Sequence, residues 1–237
     1  MDEEEPDAET SVKTKAGSDD NLMAAISHIG ILLGGALIAL FIWLTQRDKS
    51  YYVRIQAKQA LMFQVSIILL NILLLITIIG FIFLPFLWLV SVVYILYAAY
   101  KAYNGEDFRY VVIKDKLDKD DNNLMSAVSH LGIISGPVSI PLVVWLLQKD
   151  KSEYVNFQAK QALMYQLLIW GASILIMILS YIFIIVTFGI GVIVVYPVYI
   201  VLLLVWVILA LYAFYAAYKC YQGDEFRYVV IGDMFAG

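Results

Sequence analysis

The composition of this 237-residue chain is that of a membrane protein: 62% of its residues are hydrophobic, 15% are charged, and the mean hydropathy is +0.81. These values exclude a water-soluble globular monomer. The net charge is -4, of which the first 20 residues carry roughly -6, so the remainder of the chain is only slightly basic and no nucleic-acid partner is predicted. Membrane lipids are the expected surroundings, and other membrane proteins are candidate partners.

The first 20 residues form a polar, acidic segment. It holds eight Asp and Glu against only Lys13 and Lys15. The segment lacks the basic and apolar regions of a secretory signal, and it is too polar to bury a core. We therefore predict a disordered tail over residues 1–20.

Two uncharged windows are long enough for only one membrane span each. They start at Asn21 and Asn122 and run for about 26 and about 27 residues, so each could span the membrane once or enter and return to the same side. Return places all 16 Lys and Arg on one side, as the positive-inside tendency expects. Gly136, Pro137 and Pro141 supply a break in the second window.

Two longer windows predict transmembrane hairpins. They start at Gln59 and Gln161 and run for about 42 and about 58 residues, whereas one span takes about 20. Because backbone polar groups in lipid must be hydrogen-bonded within the segment, each window is predicted to fold as two helices. The expected turns are marked by Pro85 in the first window and by Gly189, Gly191 and Pro197 in the second. The expected spans are 60–81, 85–103, 162–183 and 192–217.

The windows recur because the chain is duplicated. Residues 21–64 and 123–166 align with about 27 identities in about 44 positions. Residues 97–113 then match residues 215–231 at an offset larger by about 16, so the second hairpin carries additional residues. The predicted organisation is a tail over 1–20, repeat one over 21–113, a linker over 114–122, repeat two over 123–232 and a tail over 233–237.

These patterns predict an all-α, polytopic integral membrane protein of two tandem repeats. Each repeat is expected to combine a re-entrant or interfacial helical segment with a transmembrane helical hairpin. Six full spans are the alternative. The charge distribution predicts a protein of the prokaryotic plasma membrane with both termini on the cytoplasmic side.

His28 and His130 are the two histidines of the chain and occupy equivalent positions. They could titrate near neutral pH or bind a metal. A structural role is favoured, because a histidine within an apolar helix is usually hydrogen-bonded to a neighbouring helix and two ligands do not make a metal site. No metal or cofactor is predicted.

The densest repeated pattern places four polar side chains at the start of each hairpin. Lys58 and Lys160 can reach headgroups, but Gln64 and Gln166 lie about 9 Å further along the helix. Two roles remain open for these glutamines: hydrogen bonds that fix helix packing, or the lining of a wet path. The full set is Gln56, Lys58, Gln59 and Gln64 in repeat one and Gln158, Lys160, Gln161 and Gln166 in repeat two.

Aromatic and basic residues are expected at the membrane interface. Tryptophans and tyrosines stand where apolar segments meet charge, which is typical of an aromatic belt. The segments GEDFRYVVI and GDEFRYVVI are predicted to lie on the membrane face, with their arginines paired to headgroups or to nearby acids. The predicted interface residues are Trp43, Trp145, Tyr100, Tyr218, Arg109 and Arg227.

The motifs of a histidine-containing apolar segment, W-L-x-x-(K/R)-D-K-S, Q-A-K-Q-A-L and Y-K-x-Y-x-G resemble the Tic20-like membrane protein family, here in tandem. The plant relatives of that family belong to the protein-import machinery of the chloroplast inner envelope. The commonest form has a histidine near Gln56 and Gln158, so glutamine removes any titratable role there. The resemblance implies assistance to polypeptide insertion or translocation.

Three classes of function are compatible with the sequence. A non-enzymatic membrane protein that assists insertion or assembly is favoured, and a small-solute channel built from two repeats is the alternative. A membrane enzyme ranks last, because the sequence contains no metalloprotease, nucleophile-elbow, P-loop or dinucleotide motif.

Overall fold

The computed structural model describes residues 17–111, 113, 120–135, 137–229 and 231–235. The side chains of residues 78, 79, 135 and 235 are outside the description. The chain divides into two compact units, one within residues 1–118 and one within 119–237, which we continue to call repeat one and repeat two. The described part of both repeats is helical and contains no strand.

Each repeat begins with short helices and continues with two long ones. Repeat one contains α1 (Ser18–Ile29), α2 (Ile31–Gly34), α3 (Ala36–Gln46), α4 (Tyr51–Leu75) and α5 (Ile78–Tyr103). Repeat two contains α6 (Asp121–Ser135), α7 (Ser139–Gln148), α8 (Glu153–Val186), α9 (Val192–Gln222) and a 3-10 helix (Gly232–Phe235).

The short helices of repeat one fold back within the repeat, and each is shorter than a membrane span. Helices α1 and α3 have 12 and 11 residues, or about 18 and about 17 Å, against about 30 Å of hydrocarbon. The Ser50 hydroxyl, just after α3, donates to Asp20 Oδ2 in α1 at 2.8 Å. The segment therefore returns to the end at which it entered.

Close packing of the outgoing and returning helices depends on a glycine in each repeat. A Cβ on Gly30 would lie 2.7 Å from Ile38 Cβ, and a Cβ on Gly132 would lie 3.0 Å from Ile140 Cβ. Such approaches leave no room for a side chain. Gly35, with φ +65°, forms the break before α3. In repeat two the break includes Pro137, while Gly136 lies outside the described residues.

The ends of the long helices meet the start of the first helix in each repeat. A Cβ on Gly105, after α5, would lie 3.2 Å from the side chain of Asn21, and one on Gly223, after α9, would lie 2.9 Å from that of Asn123. The polar ends of the helices therefore gather at one end of each repeat. This arrangement confirms the fold class that the sequence predicts.

Among the described residues, four helices are long and apolar enough to cross a membrane. They are Tyr51–Leu75, Gly80–Tyr103, Glu153–Val186 and Val192–Gln222. Ser50 and Ser152 begin the first helix of each hairpin, since their side chains accept from the backbone N–H groups of Val53 and Val155. These hydroxyl caps satisfy donors that the first helical turn leaves open.

The predicted hairpin turns are only partly correct. The first turn lies at residues 76–77, where Thr77 caps α5, and Pro85 is inside that helix. The second turn spans residues 187–191 and contains Gly189 and Gly191 as expected, whereas Pro197 is inside α9. Pro85 is the eighth residue of α5 and Pro197 is the sixth residue of α9, so both lie beyond the first turn, where proline removes an intrahelical hydrogen bond.

The helix ends also differ from the predicted boundaries of the repeats. Helix α1 begins at Ser18, so Asp19 and Asp20 belong to it, and their charges suit its N-terminus. Helix α6 begins at Asp121, inside the predicted linker. The predicted tail before residue 17 and most of the linker, residues 114–119, lie outside the described residues.

Candidate functional site

A buried chain of hydrogen bonds joins three parts of repeat one. His28 Nδ1 in α1 lies 3.0 Å from the Tyr110 hydroxyl, and His28 Nε2 lies 3.1 Å from Gln56 Oε1 in α4. His28 and Tyr110 are each 1% exposed, and Gln56 is fully buried. We call these three residues the polar network of repeat one.

The orientation of Gln56 determines where the protons lie. Its Nε2 donates to the Phe108 carbonyl at 3.2 Å and to Asp107 Oδ1 at 3.1 Å, so Oε1 is the atom that faces His28. An amide oxygen only accepts, and therefore His28 Nε2 carries the hydrogen. Nδ1 of the neutral ring is then an acceptor, and the Tyr110 hydroxyl donates to it. The assignment follows from the network of partners.

The polar network of repeat two consists of His130, Gln158 and Tyr228. His130 Nδ1 lies 3.0 Å from the Tyr228 hydroxyl and Nε2 lies 3.1 Å from Gln158 Oε1, the same distances as in repeat one. Gln158 Nε2 donates to the Phe226 carbonyl at 3.0 Å. The same tautomer therefore follows for His130.

One additional donor distinguishes repeat two. Cys220 Sγ lies 3.3 Å from Gln158 Oε1, so the amide oxygen that faces His130 also accepts from a thiol. The equivalent residue of repeat one is Ala102. Cys220 is fully buried and is a free cysteine.

Burial keeps both histidines neutral. Desolvation lowers the pKa of His28 and of His130 from 6.5 to about 4, and the hydrogen bond with Gln56 or Gln158 offsets only part of that effect. Burial also raises the pKa of Tyr110 and of Tyr228 well above 10. Each network therefore has one dominant protonation state at neutral pH, with no group ready to exchange a proton.

A second glutamine holds the segment that carries the tyrosine. Gln59 Oε1 accepts from the backbone N–H of Tyr110, and Gln161 Oε1 accepts from that of Tyr228, each at 3.0 Å. Gln161 Nε2 also donates to the Phe226 carbonyl at 3.0 Å. The repeated glutamines on α4 and α8 thus hydrogen-bond an irregular backbone segment to the helix.

Gln64 and Gln166 each donate a hydrogen bond to a backbone carbonyl of the first helix of their repeat. Gln64 Nε2 donates to the Ser27 carbonyl at 3.0 Å, and Gln166 Nε2 donates to the Ser129 carbonyl at 2.9 Å. Ser27 lies in the last turn of α1, where carbonyls have no partner inside the helix, whereas Ser129 lies six residues before the end of α6. The Gln64 and Gln166 side chains are 1% and 0% exposed.

The two lysines of the repeated pattern differ in exposure. Lys58 is 3% exposed, which is not the environment of a side chain reaching headgroups, whereas Lys160 is half-buried. Both make polar interactions within the chain.

The residues expected at the interface fall into two groups. Tyr100 and Tyr218 are 64% and 59% exposed, as a belt position requires. Trp43 is instead fully buried, because the return of α3 packs it inside repeat one. Trp145 is half-buried, and its Nε1 donates to Asn156 Oδ1 at 3.0 Å.

Arg109 and Arg227 form local ion pairs on the surface. Arg109 Nε lies 3.0 Å from Asp107, and Arg227 Nη2 lies 2.7 Å from Glu225. Because both partners of each pair are exposed, these pairs contribute little to stability.

The segments predicted to lie on the membrane face instead fold into the repeats. Phe108, Tyr110 and Ile113 are buried, and the Tyr110 ring stacks on Phe63 at a centroid distance of 3.9 Å. The site residues Tyr110 and Tyr228 were therefore missed by the sequence analysis. The signal is the sequence F-R-Y in both copies, since alternation of apolar and charged residues predicts extended backbone with one buried face.

The two polar networks offer few groups that could take part in a reaction. The networks contain donors and acceptors that satisfy one another, in sites closed to solvent. Among the described residues, no group of three or more His, Cys, Asp or Glu side chains could hold a metal ion. The geometry suits the positioning of helices more than proton transfer or nucleophilic attack.

A family model matches both repeats separately. The model of the magnetosome magnetite crystal formation protein family (MamF/MmsF) matches residues 19–116 and residues 121–235. The chain belongs to this family. The match covers most of the chain, and it identifies repeats one and two as two copies of the MamF/MmsF unit in tandem.

The family assignment corrects the resemblance drawn from the motifs. The chain is not a member of the Tic20-like family, although the tandem duplication inferred from the same motifs agrees with the two matches. Short motifs rich in apolar and aromatic residues recur in unrelated membrane proteins, because lipid favours the same residue types in each. No curated protein and no solved structure matches the sequence.

Proposed function

We propose that this MamF/MmsF protein acts in magnetite crystal formation as a non-enzymatic structural component of the magnetosome membrane. Its two repeats form rigid anchors that assemble with lipids and with other proteins of that membrane. The observation that carries the proposal is the pair of equivalent polar networks, one in each matched copy of the family unit.

The networks support a structural role because their groups are already engaged. In repeat one, the Tyr110 hydroxyl, the His28 ring and the Gln56 amide bond to one another and to the Phe108 carbonyl. A catalytic acid or base needs a pKa near the working pH and access to substrate. The low pKa and the burial of His28 favour neither.

The two observations that favoured a role in polypeptide insertion no longer support it. It depended on the Tic20-like resemblance, which the family match replaces, and on a hydrated environment for Gln64 and Gln166. Both buried glutamines instead donate to backbone carbonyls of the first helix of their repeat. The solute-channel alternative depends on the same hydration and is weakened by the same contacts.

The orientation of the chain is part of the proposal. The positive-inside tendency places the polar ends of both repeats on the cytoplasmic face. The hairpin turns then lie toward the magnetosome interior, where the crystal grows. Assembly partners would contact the exposed apolar faces of α5, α8 and α9 within the membrane.

Complementation in a magnetite-forming bacterium that lacks its own family members tests this function. We expect the intact chain to restore crystal size, measured by electron microscopy. The His28→Gln and His130→Gln variants should restore it in proportion to the amount of folded protein in the membrane. A variant with normal abundance and stability that fails to restore crystals would indicate a chemical role for the histidine and contradict the proposal.

Flux measurements separate the channel alternative. Purified protein in liposomes should leave the permeability to ions and small solutes unchanged. Selective flux that is abolished by Gln64→Leu or Gln166→Leu would favour the channel. Flux insensitive to both changes would indicate a path elsewhere in the protein and would equally contradict a purely structural role.

A further inference from the structure

The hairpin of repeat two is longer than that of repeat one on both of its helices. Helix α8 has 34 residues against 25 in α4, and helix α9 has 31 against 26 in α5. The additional residues lie at the turn, since the other ends of the helices align between the repeats.

The uncharged length of each helix shows what this difference means for the membrane. From Lys160 to the end of α8 is about 39 Å, and from the start of α9 to Lys219 is about 40 Å. The corresponding lengths in repeat one, bounded by Lys58 and Lys101, are about 26 and about 34 Å. The mean of the two repeat-one lengths equals the roughly 30 Å thickness of an ordinary hydrocarbon core. Each uncharged length in repeat two exceeds that thickness by about 10 Å.

The surface of the longer hairpin is apolar up to and including its turn. Phe188 is 96% exposed, Ile190 is 71% exposed and Ile193 is 75% exposed. No charged residue occurs between Lys160 and Lys219. An aqueous surface at this position would leave a large apolar tip in water.

The turn of repeat two provides its own hydrogen bonds. The backbone N–H groups of residues 187–190 and 192–195 donate to carbonyls within the turn or the adjoining helices. The remaining N–H, that of Gly191, donates to Thr187 Oγ1 at 2.8 Å, and that hydroxyl donates to the Phe183 carbonyl at 2.7 Å. The pairing of these N–H groups lowers the cost of moving the turn out of water, because each unpaired backbone group is costly in hydrocarbon.

We propose that the repeat-two hairpin keeps its turn within the hydrocarbon and binds a bilayer thicker than the one that repeat one matches. In a membrane of ordinary thickness it tilts or locally thickens the bilayer. Either adjustment costs little per ångström, whereas exposing the tip would place many large apolar side chains in water. The occupant of this surface is therefore lipid, and the proposal holds whatever the role of the chain in crystal formation.

Labelling of the full chain in nanodiscs of dioleoyl phosphatidylcholine tests the position of the turn, because both faces are open to reagent. Single cysteines replace Ile190, Ile76 and Asp48 in a Cys220→Ala background, which uses the residue that repeat one has at the equivalent position. Asp48→Cys is the water-exposed control. Ile76→Cys is the matched control at the turn of repeat one, which its shorter helices carry to the far headgroups.

Position 190 should react several-fold more slowly with a membrane-impermeant maleimide than positions 76 and 48. A fluorophore at position 190 should be quenched by brominated lipid chains. Labelling of position 190 at the rate of position 76 would overturn the proposal. So would protection without lipid quenching and with disulfide-linked dimers through position 190, which would identify a second copy of the chain as the occupant.

Thermal unfolding in bilayers of different thickness provides a second readout that needs no substitution. The midpoint for the native chain should be higher in dierucoyl than in dioleoyl phosphatidylcholine, since the longer acyl chains match the longer hairpin. A lower midpoint in the thicker bilayer would contradict the proposal.

Discussion

The Tyr110 hydroxyl lies 3.0 Å from His28 Nδ1, although the two residues are 82 positions apart in the chain. This contact joins the segment that follows α5 to the first helix of the same repeat. Tyr228 and His130 make the same contact at the same distance in repeat two. A buried hydrogen bond between histidine and tyrosine therefore joins the first helix of each repeat to the segment that follows its last long helix.

Removing the tyrosine hydroxyl should destabilise either repeat. Tyr110→Phe or Tyr228→Phe leaves a buried histidine nitrogen without its donor, and we expect a loss of about 1–2 kcal/mol in the free energy of unfolding. The measurement is thermal or denaturant unfolding in detergent. Tyr100→Phe and Tyr218→Phe, at exposed positions, are the matched controls. An equal loss in the free energy of unfolding at buried and exposed positions would show that the hydrogen bond to histidine does not stabilise the repeat.

Stability should fall as the pH is lowered below the usual histidine range. The folded-state pKa of His28 and His130 is about 4, below the unfolded value of 6.5. Protons therefore bind the unfolded chain more readily, and stability present above pH 6.5 is lost as the pH falls toward 4. We expect a loss on the order of 2 kcal/mol per histidine near pH 5.

The groups around each ring are part of this pH dependence. In repeat one they are Tyr110 and, through Gln56, the carboxylate of Asp107. Equilibrium unfolding from neutral pH to about pH 5 gives the slope, and His28→Gln should remove the share of one histidine. A slope unchanged in the His28→Gln, His130→Gln double variant would place the titrating groups elsewhere.

The two deep glutamines should respond unequally to the same substitution. Gln166 Oε1 accepts from the backbone N–H of Val138 at 2.9 Å, whereas Gln64 Oε1 has no hydrogen-bond partner among the described residues. Gln166→Leu therefore strands one more backbone group than Gln64→Leu, and should cost about 1 kcal/mol more. Unfolding of the two variants side by side measures the difference. A greater loss from Gln64→Leu would reverse the assignment.

The sequence predicted those parts of the fold that depend on charge and length. The uncharged windows gave four long helices, and their charged ends correctly indicated that the short windows return. Turn positions were harder to predict, because Pro85 and Pro197 resemble helix breaks in the sequence, yet each lies inside a long helix, at least five residues after its first residue.

The candidate site was only half visible in the sequence. His28, Gln56 and Gln64 stood out because each recurs in repeat two within an apolar helix. Tyr110 did not, because it follows three charged residues and lies in no helix, and only the folded chain shows that its ring packs on Phe63. Partners separated by 82 positions are fixed by tertiary packing, which a local pattern does not encode.

We propose that the polar ends of both repeats lie on the cytoplasmic face of the membrane, as the positive-inside tendency expects. Single cysteines at Asp48 and Asp150, in a Cys220→Ala background, test it by labelling sealed, oriented vesicles with an impermeant reagent. The account predicts that both positions label from the same face. Labelling from opposite faces would mean that the short helices cross the membrane and that the repeats are inverted, and would contradict the account.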